Sequence, residues 1–194
     1  MKTDCAPQEI EKLIIEWTED KDDPSYGQFA TASKGGHPHV RTVHFRYSEF
    51  FNTLVIACHT ESSKWKDLLN NPQMSGCLFS HKRLVQIRWE SDVRLISGDT
   101  TNIQEKKLLT ILWQQIRPDV RQAYWNDMIV SKKSHKHTST KRCPSFGAVI
   151  MYPYLWDIYK LGKESYLDGI RFIYTLHKNE WKKKKASIVS SKFF

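Results

Sequence analysis

Residues 29–46, FATASKGGHPHVRTVHFR, decide the fold of this chain. The segments Phe29–Ser33 and His39–Arg46 have the two-residue periodicity of β-strands. Between them stands Lys34-Gly35-Gly36, and glycine adopts the positive φ of a tight turn without steric cost. The stretch therefore predicts an antiparallel β-hairpin.

The segments on either side of the hairpin are many short strands and a few helices. Helices are predicted where apolar residues recur at helical spacing between capping residues, and strands where short apolar runs stand between turn residues. The predicted helices are Pro7–Trp17, Ser62–Asn70, Thr101–Ile116 and Asp119–Met128, and the further strands are Thr53–His59, Met74–Ser80, Leu84–Ile96, Ala148–Tyr152, Trp156–Leu161, Ile170–Leu176 and Trp181–Lys185. This pattern predicts a mostly β (α+β) fold, a small antiparallel barrel with peripheral helices.

We expect a single domain over residues 1–194, because the length suits one core and the sequence has neither an internal repeat nor a linker. Residues 1–24 would form an N-terminal helix and loop, and residues 131–143 a basic surface loop. A doubly wound sheet is excluded, because strands and helices do not alternate and no GxGxxG motif occurs.

The chain is basic, with 30 Lys and Arg against 21 Asp and Glu, a net charge of +9 and a pI near 9.3. Such an excess favours anionic partners such as nucleic acid, phosphorylated cofactors or an acidic surface. Two Lys-rich segments, Ser131–Arg142 and Lys182–Lys185, carry part of the charge. We interpret them first as solvated surface segments.

The sequence also argues against several protein classes. No apolar stretch approaches the about 20 residues of a membrane-spanning helix, and the N-terminus lacks the apolar region of a secretory signal. Cys5, Cys58, Cys77 and Cys143 have no metal-binding spacing, which favours reduced thiols in a cytoplasmic protein. Because His135 and His137 have no further ligands nearby, no metal site is predicted.

Arg41 and Arg46 stand in one predicted strand. An odd and an even position face opposite sides of a regular strand, so a strand end or a bulge would be needed to bring both to one ligand. The alternative is that they are exposed arginines of a sheet.

The segment His59–Lys64, HTESSK, follows an apolar strand and opens a predicted helix. Hydroxyl groups, free backbone N–H groups and a lysine at a helix N-terminus form an anion pocket, and phosphate is its common occupant. The alternative is an ordinary helix N-cap. Taken with the arginines of the preceding strand, the segment favours a phosphorylated ligand.

Two further polar residues stand at informative positions. Gln86 interrupts a long apolar strand, where its amide either faces solvent or hydrogen bonds a partner such as the edge of a heterocycle. Arg117 follows the third predicted helix, where it would complement the C-terminal helix dipole.

The order of these segments resembles the pyridoxamine 5′-phosphate oxidase-like, FMN-binding split-barrel family, over about Phe29 to Trp181. The matching blocks are Phe29-Ala30-Thr31 with Val40–Arg46, Ser62-Ser63-Lys64 with Asn70-Asn71-Pro72, Val85–Arg88, Pro144-Ser145-Phe146, Trp156–Tyr159 and Arg171–Tyr174. The resemblance implies a six-stranded antiparallel split β-barrel that binds FMN across a homodimer interface, with two symmetric sites.

The resemblance also implies which residues bind FMN. They are Arg41, Thr42, Val43, His44, Phe45, Arg46, Ala57, Cys58, Ser63, Lys64, Gln86, Tyr159 and Arg171. Arg41 and Lys64 would hold the phosphate, and Gln86 would hydrogen bond the isoalloxazine. Cys58 stands in place of a family threonine, and Tyr159 stands where many members have tryptophan.

For a small phosphorylated substrate, the resemblance implies contacts from Arg46, Trp113, Arg117 and Arg121. The chain departs from the family near its C-terminus. Where authentic oxidases carry Arg-Leu-His-Asp-Arg, this chain has Tyr166–Arg171, YLDGIR, without the first arginine and the histidine.

The leading hypothesis is therefore a cytoplasmic, homodimeric FMN flavoprotein. Its best-defined candidate reaction is oxidation of pyridoxamine or pyridoxine 5′-phosphate, in which hydride passes from the substrate to flavin N5 and O₂ reoxidises the flavin. One alternative is an FMN-dependent reductase of the same fold with a different substrate. Another is a non-enzymatic nucleic-acid-binding protein, which the net charge motivates.

Overall fold

A computed structural model describes residues 5–129, 141–165 and 168–188. The helices are α1 (Gln8–Glu19), α2 (Ser63–Asn70), α3 (Ile103–Gln115) and α4 (Pro118–Ile129). The strands are β1 (Tyr26–Ala32), β2 (Pro38–His44), β3 (Arg46–Ser48), β4 (Thr53–His59), β5 (Gln73–Ser80), β6 (Val85–Ile96), β7 (Phe146–Lys160), β8 (Ile170–His177) and β9 (Glu180–Ala186). Among the described residues, none of the four helices combines the length and the apolar character that a membrane crossing requires.

All nine of these strands belong to one antiparallel sheet, whose order is β2-β1-β5-β6-β7-β4-β3, with β8 and β9 joined to β7. The predicted hairpin is confirmed: β1 pairs with β2 from Tyr26↔His44 to Ala32↔Pro38, and Gly36 has the expected positive φ of 82°. The mostly β fold class is confirmed too. The described sheet has nine strands instead of the six that the resemblance implies, because β8 and β9 extend it and the short β3 is separated from β2.

Strand β7 corrects one sequence prediction. Residues 148–152 and 156–161 were expected as two strands, and they belong to a single strand of 15 residues. β7 pairs with β4 through its first half and with β8 through its second half, while β6 runs beside both halves. Pro153 stands where the partner changes and where the β6–β7 register shifts, so its missing N–H interrupts no regular ladder.

Two hydrophobic clusters lie on opposite faces of the sheet. The first fills the barrel and includes four fully buried aromatic residues, Phe29, Phe45, Trp89 and Trp156, which α1 covers with Ile10, Ile14 and Trp17. The second lies between α3 and the outer face of β4 and β7, and includes Leu109, Trp113, Val55 and Phe146. The sheet is therefore buried on both faces along β4 and the first half of β7.

The two basic segments have different outcomes. Residues 131–140 of the predicted surface loop 131–143 lie outside the described residues. Lys182–Lys185 are solvent-exposed and belong to β9, which pairs with β8, so both the surface position and the strand predicted for this segment are confirmed. Lysines on a strand that has one neighbour discourage pairing with another chain.

Candidate functional site

Arg41 lies on β2 opposite Phe29, so its side chain is on the face of the sheet that carries the barrel core. Its Nη1 donates to Thr31 Oγ1 at 2.7 Å, to the His39 carbonyl at 3.1 Å and to the Phe29 carbonyl at 3.3 Å. Its Nη2 lies 3.5 Å from Asp67 Oδ2. The guanidinium is therefore held close to the sheet instead of extending into solvent.

Asp67 is a buried carboxylate on α2 that faces these β-strand residues. It accepts hydrogen bonds from Thr31 Oγ1 at 2.6 Å and from His39 Nδ1 at 2.9 Å. Burial raises the pKa of Asp67, but the hydrogen bonds from Thr31 and His39 and the charge of Arg41 outweigh it, so this pKa lies below its ordinary value. Asp67 is therefore ionised at neutral pH beside Arg41.

The start of α2 differs from an ordinary N-cap. The Ser62 side chain makes no capping hydrogen bond and instead donates to the His59 carbonyl at 2.7 Å. The first-turn N–H groups of α2 are consequently not capped by this hydroxyl. Ser63 is exposed and Lys64 is half-buried in the same turn.

Cys58 is a buried residue near the end of β4, shortly before the start of α2. It belongs to the barrel core, and its Sγ lies 3.3 Å from Ser62 Oγ. Burial raises the pKa of Cys58, while Lys64, Ser62 and Arg41 partly offset that effect. Lys64 lies in the first turn of α2, and Arg41 Nη2 lies 3.5 Å from Asp67 Oδ2 one turn later, so the structure brings both cations to the same helix.

Cys58 and His59 do not form a nucleophilic pair. His59 stacks on Tyr124, at 5.6 Å between ring centroids, on the face opposite the Cys58 thiol. With its raised pKa, Cys58 is a protonated thiol at neutral pH.

The residues between Arg41 and Arg46 lie in different environments. Thr42 is exposed and Val43 packs on the barrel core, while Phe45 is completely buried. His44 stacks on Tyr26 with 4.6 Å between ring centroids.

Arg46 lies on the opposite face of the sheet from Arg41. The residues that alternate with it, Phe45 and Tyr47, contact the barrel core, and Arg46 pairs with the outward-facing Val55. The gap between β2 and β3 thus leaves the two arginines apart within one chain. Burial lowers the pKa of Arg46, and no carboxylate of the described residues forms an ion pair with it.

Gln86, Tyr159 and Arg171 form a row across three adjacent strands, because Gln86 pairs with Tyr159 and Tyr159 pairs with Arg171. Val85 and Ile87 contact the barrel core, so Gln86 and its row lie on the outer face. The structure therefore separates the predicted FMN residues into two groups, one near Arg41 and Lys64 and one on this outer face.

Arg171 is buried and held by an acid that the sequence analysis missed. Its Nε and Nη2 donate to Asp157 at 2.9 and 2.8 Å, and its Nη1 donates to the Ser187 carbonyl at 3.3 Å. Arg88 also forms an ion pair with Asp157. An aspartate inside an apolar strand was the available signal, since a buried charge needs a partner.

The predicted substrate residues do not all lie together. Trp113 is buried against Phe146, with 5.0 Å between ring centroids. Arg117 is 80% exposed and pairs with Asp119 at 2.8 Å. Arg121 donates at 2.8 and 2.9 Å to carbonyls of the last turn of α3, those of Ile116 and Gln114. It is therefore Arg121, and not Arg117 as expected, that complements the C-terminus of α3.

The structure also bears on the metal prediction and adds three residues that the sequence analysis did not name. Within the described ranges, no group of His, Cys, Asp or Glu could hold a metal ion; His135 and His137 lie outside them. Thr31, His39 and Asp67 were not predicted as site residues. Only the pairing of β1 with β2 and the docking of α2 bring them to Arg41.

Comparisons with known proteins agree with this fold. The sequence profile described as pyridoxamine 5′-phosphate oxidase matches residues 13–139. No curated protein sequence matches the chain. A pyridoxamine 5′-phosphate oxidase-related, FMN-binding protein from Nostoc punctiforme PCC 73102 aligns with a TM-score of 0.73 and 20% identity, over 94% of this chain and 97% of that one.

A second solved structure, PhzG from Burkholderia lata 383 in complex with tetrahydrophenazine-1-carboxylic acid, aligns with a TM-score of 0.65 and 18% identity, over 95% of both chains. At these identities the two structures establish the fold alone. The predicted split-barrel fold is confirmed.

Proposed function

The chain belongs to the pyridoxamine 5′-phosphate oxidase family, and from this premise we propose that it is an FMN-binding oxidoreductase. The observation that carries the proposal is the position of Arg41 beside α2: its Nη2 lies 3.5 Å from Asp67 Oδ2, one turn after Lys64 and the start of the helix that has no side-chain cap. Two cations and uncapped helix N–H groups suit a phosphate monoester.

The residues present fit the phosphate end of FMN. Lys64 and the first-turn N–H groups of α2 offer donors, and Ser63 adds an exposed hydroxyl in the same turn. Arg41 is ordered beside them by Thr31 and Asp67. Bound FMN would supply the two-electron chemistry of an oxidoreductase, while these residues hold its phosphate.

The two groups of FMN residues motivate a homodimer. In one chain Arg41 faces the barrel core, whereas Gln86, Tyr159 and Arg171 lie on the outer face of the sheet. One flavin would meet both groups if a second copy of the chain supplied the outer-face row. We therefore place FMN at the interface of a two-fold dimer with two equal sites.

The first experiment is an absorption spectrum of the purified protein, followed by heat release and identification of the flavin. We then expect Arg41→Met and Lys64→Met to weaken FMN binding by about tenfold or more, because each removes a charge-assisted contact. The control is Lys12→Met, which removes an exposed lysine of α1 whose side chain is 79% exposed. A wild-type protein that binds no FMN would refute the proposal.

For the reaction, the family offers oxidation of pyridoxamine or pyridoxine 5′-phosphate. In this substrate assignment Arg46 would position the substrate phosphate, because it is a partly buried guanidinium with no ion pair to the described carboxylates. Aldehyde formation from pyridoxine phosphate by the FMN-loaded protein tests the assignment. FMN bound without aldehyde formation would reject it and leave the flavoprotein.

A second candidate is an FMN-dependent reductase with a different substrate. Two observations favour it. The sequence Tyr166–Arg171 lacks the first arginine and the histidine of the family's Arg-Leu-His-Asp-Arg motif, and Arg117 pairs with Asp119 at the surface. Flavin reduction by NAD(P)H, followed by reoxidation with a series of acceptors, tests this candidate. Absence of acceptor-dependent reoxidation would count against it.

A further inference from the structure

We propose that Thr31 and Asp67 are positioning residues that hold Arg41 at the phosphate end of the FMN site. This inference rests on the proposed function and adds two residues to it. Neither side chain needs to touch FMN. Both would act on the phosphate through the guanidinium of Arg41.

The directions of the hydrogen bonds define a relay. An ionised carboxylate only accepts, so Thr31 Oγ1 gives its single proton to Asp67 Oδ2, at 2.6 Å. The lone pairs of Oγ1 are then directed to other donors, and Arg41 Nη1 donates to this oxygen at 2.7 Å. Reversing the Thr31 hydroxyl would break both contacts.

Burial makes this relay rigid. Thr31 is 5% exposed and Asp67 is 6% exposed, while the Arg41 side chain is 20% exposed. The buried pair therefore anchors one side of the guanidinium, and its outer side remains accessible. His39 Nδ1 also donates to Asp67 Oδ2 at 2.9 Å, which fixes the carboxylate from a second direction.

The physical consequence is preorganisation. A free arginine side chain loses much rotamer freedom when it binds an anion, and that loss weakens the affinity. Because Thr31 and Asp67 already order Arg41, less of this freedom is lost when a phosphate arrives. The relay should therefore affect ligands that carry the phosphate and not ligands that lack it.

Riboflavin and FMN differ by this phosphate and give the decisive comparison. We expect Thr31→Val, which keeps the side-chain shape and removes the hydroxyl, to weaken FMN binding about tenfold, the effect of one hydrogen bond to a charged group. Thr31→Ser, which keeps the hydroxyl, should stay within about twofold of wild type. Riboflavin affinity should be the same in all three proteins. Flavin fluorescence titration measures each affinity.

Thr53→Val is the matched control, because it also removes a buried hydroxyl, one that donates to the Met151 carbonyl at 2.7 Å at the far end of β4. It should leave FMN affinity unchanged. If Thr31→Val weakened riboflavin and FMN equally, or if Thr31→Ser were as weak as Thr31→Val, a general structural role would replace the relay.

A double-mutant cycle with Arg41 completes the test. In an Arg41→Met background, adding Thr31→Val or Asp67→Asn should cause no further loss of FMN affinity, because the group that they position is gone. Additive losses would overturn the inference. A wild-type protein without FMN affinity refutes the proposed function itself, whereas FMN binding with additive losses refutes only the relay.

Discussion

The barrel core leaves no space for a side chain at Gly76 on β5. A Cβ at this position would lie 2.1 Å from the Trp89 ring. Trp89 has no room to move, because it is 1% exposed and contacts Phe45 and Trp156, with ring centroids at 4.9 and 5.5 Å. Glycine at position 76 therefore leaves the space that the Trp89 ring occupies in the centre of the barrel.

We expect Gly76→Ala to lower the free energy of unfolding by about 1–3 kcal/mol, the usual effect of overpacking a core. Gly35→Ala is the control, since its Cβ would lie 3.4 Å from the nearest atom, on the His37 ring, and its φ is not positive. The control should change stability by less than about 0.5 kcal/mol. Urea unfolding measures both variants, and equal stabilities would contradict the packing argument.

His44 provides a pH-dependent prediction. Burial, with a smaller effect of the Arg46 charge, lowers its pKa from 6.5 to about 4. Between these two pH values the unfolded chain binds a proton that the folded chain does not bind. The free energy of unfolding should therefore fall as the pH decreases from 6.5 towards 4.

The test compares the wild type with His44→Phe, which keeps a ring to stack on Tyr26 and removes the titrating group. The wild type should lose more stability than the variant between pH 7 and pH 5, as measured by urea unfolding. Equal losses in the two proteins would show that His44 does not contribute.

Among the elements, α2 and α3 begin in different ways. The Asn102 side chain caps α3 by accepting from the N–H groups of Gln104 and Glu105, at 2.9 and 3.2 Å. Ser62 leaves the N-terminus of α2 without such a cap. The capped helix supports the outer hydrophobic cluster, and the uncapped helix faces the proposed phosphate.

We expect Asn102→Ala to lower the free energy of unfolding by about 1 kcal/mol, because two backbone donors lose their acceptor. Asn102→Ser should retain most of that stability, since serine is also a good N-cap. FMN affinity should not change in either variant. A stability loss of the same size in both variants would point to packing instead of capping.

For the whole molecule, the separation of the two FMN residue groups leads to a complementation prediction. Arg41→Met and Gln86→Leu should each weaken FMN binding. In mixed dimers made by exchange of the two variants, one site would carry both substitutions and the other would carry neither. A 1:1 mixture should therefore recover tight binding at about a quarter of the sites.

Flavin titration before and after subunit exchange measures this recovery, and analytical ultracentrifugation checks that dimers are present. A mixture of unexchanged variants is the control. If exchange restored no tight sites, the Arg41 group and the Gln86 group would not contact the same flavin, and the interface proposal would fail.

Local sequence was sufficient for many of the elements. The hairpin around Gly36 and the bounds of β4 agree with their predictions, because strand periodicity and turn chemistry are properties of neighbouring residues. The proposed anion pocket could also be located from the sequence, since its cations and hydroxyls stand at the junction of a predicted strand and a predicted helix. The same local rules divided β7 at Pro153, because they could not see that its partner changes there.

The sequence by itself determined that the chain forms a mostly β fold and concentrates donors near Lys64, since both follow from residue types and short-range spacing. Only the tertiary structure decided that Asp67 and Thr31 hold Arg41, that Asp157 holds Arg171, and that Arg46 lies on the other face. These contacts join residues far apart in the chain. They depend on strand register and helix docking, which burial of the whole core fixes together.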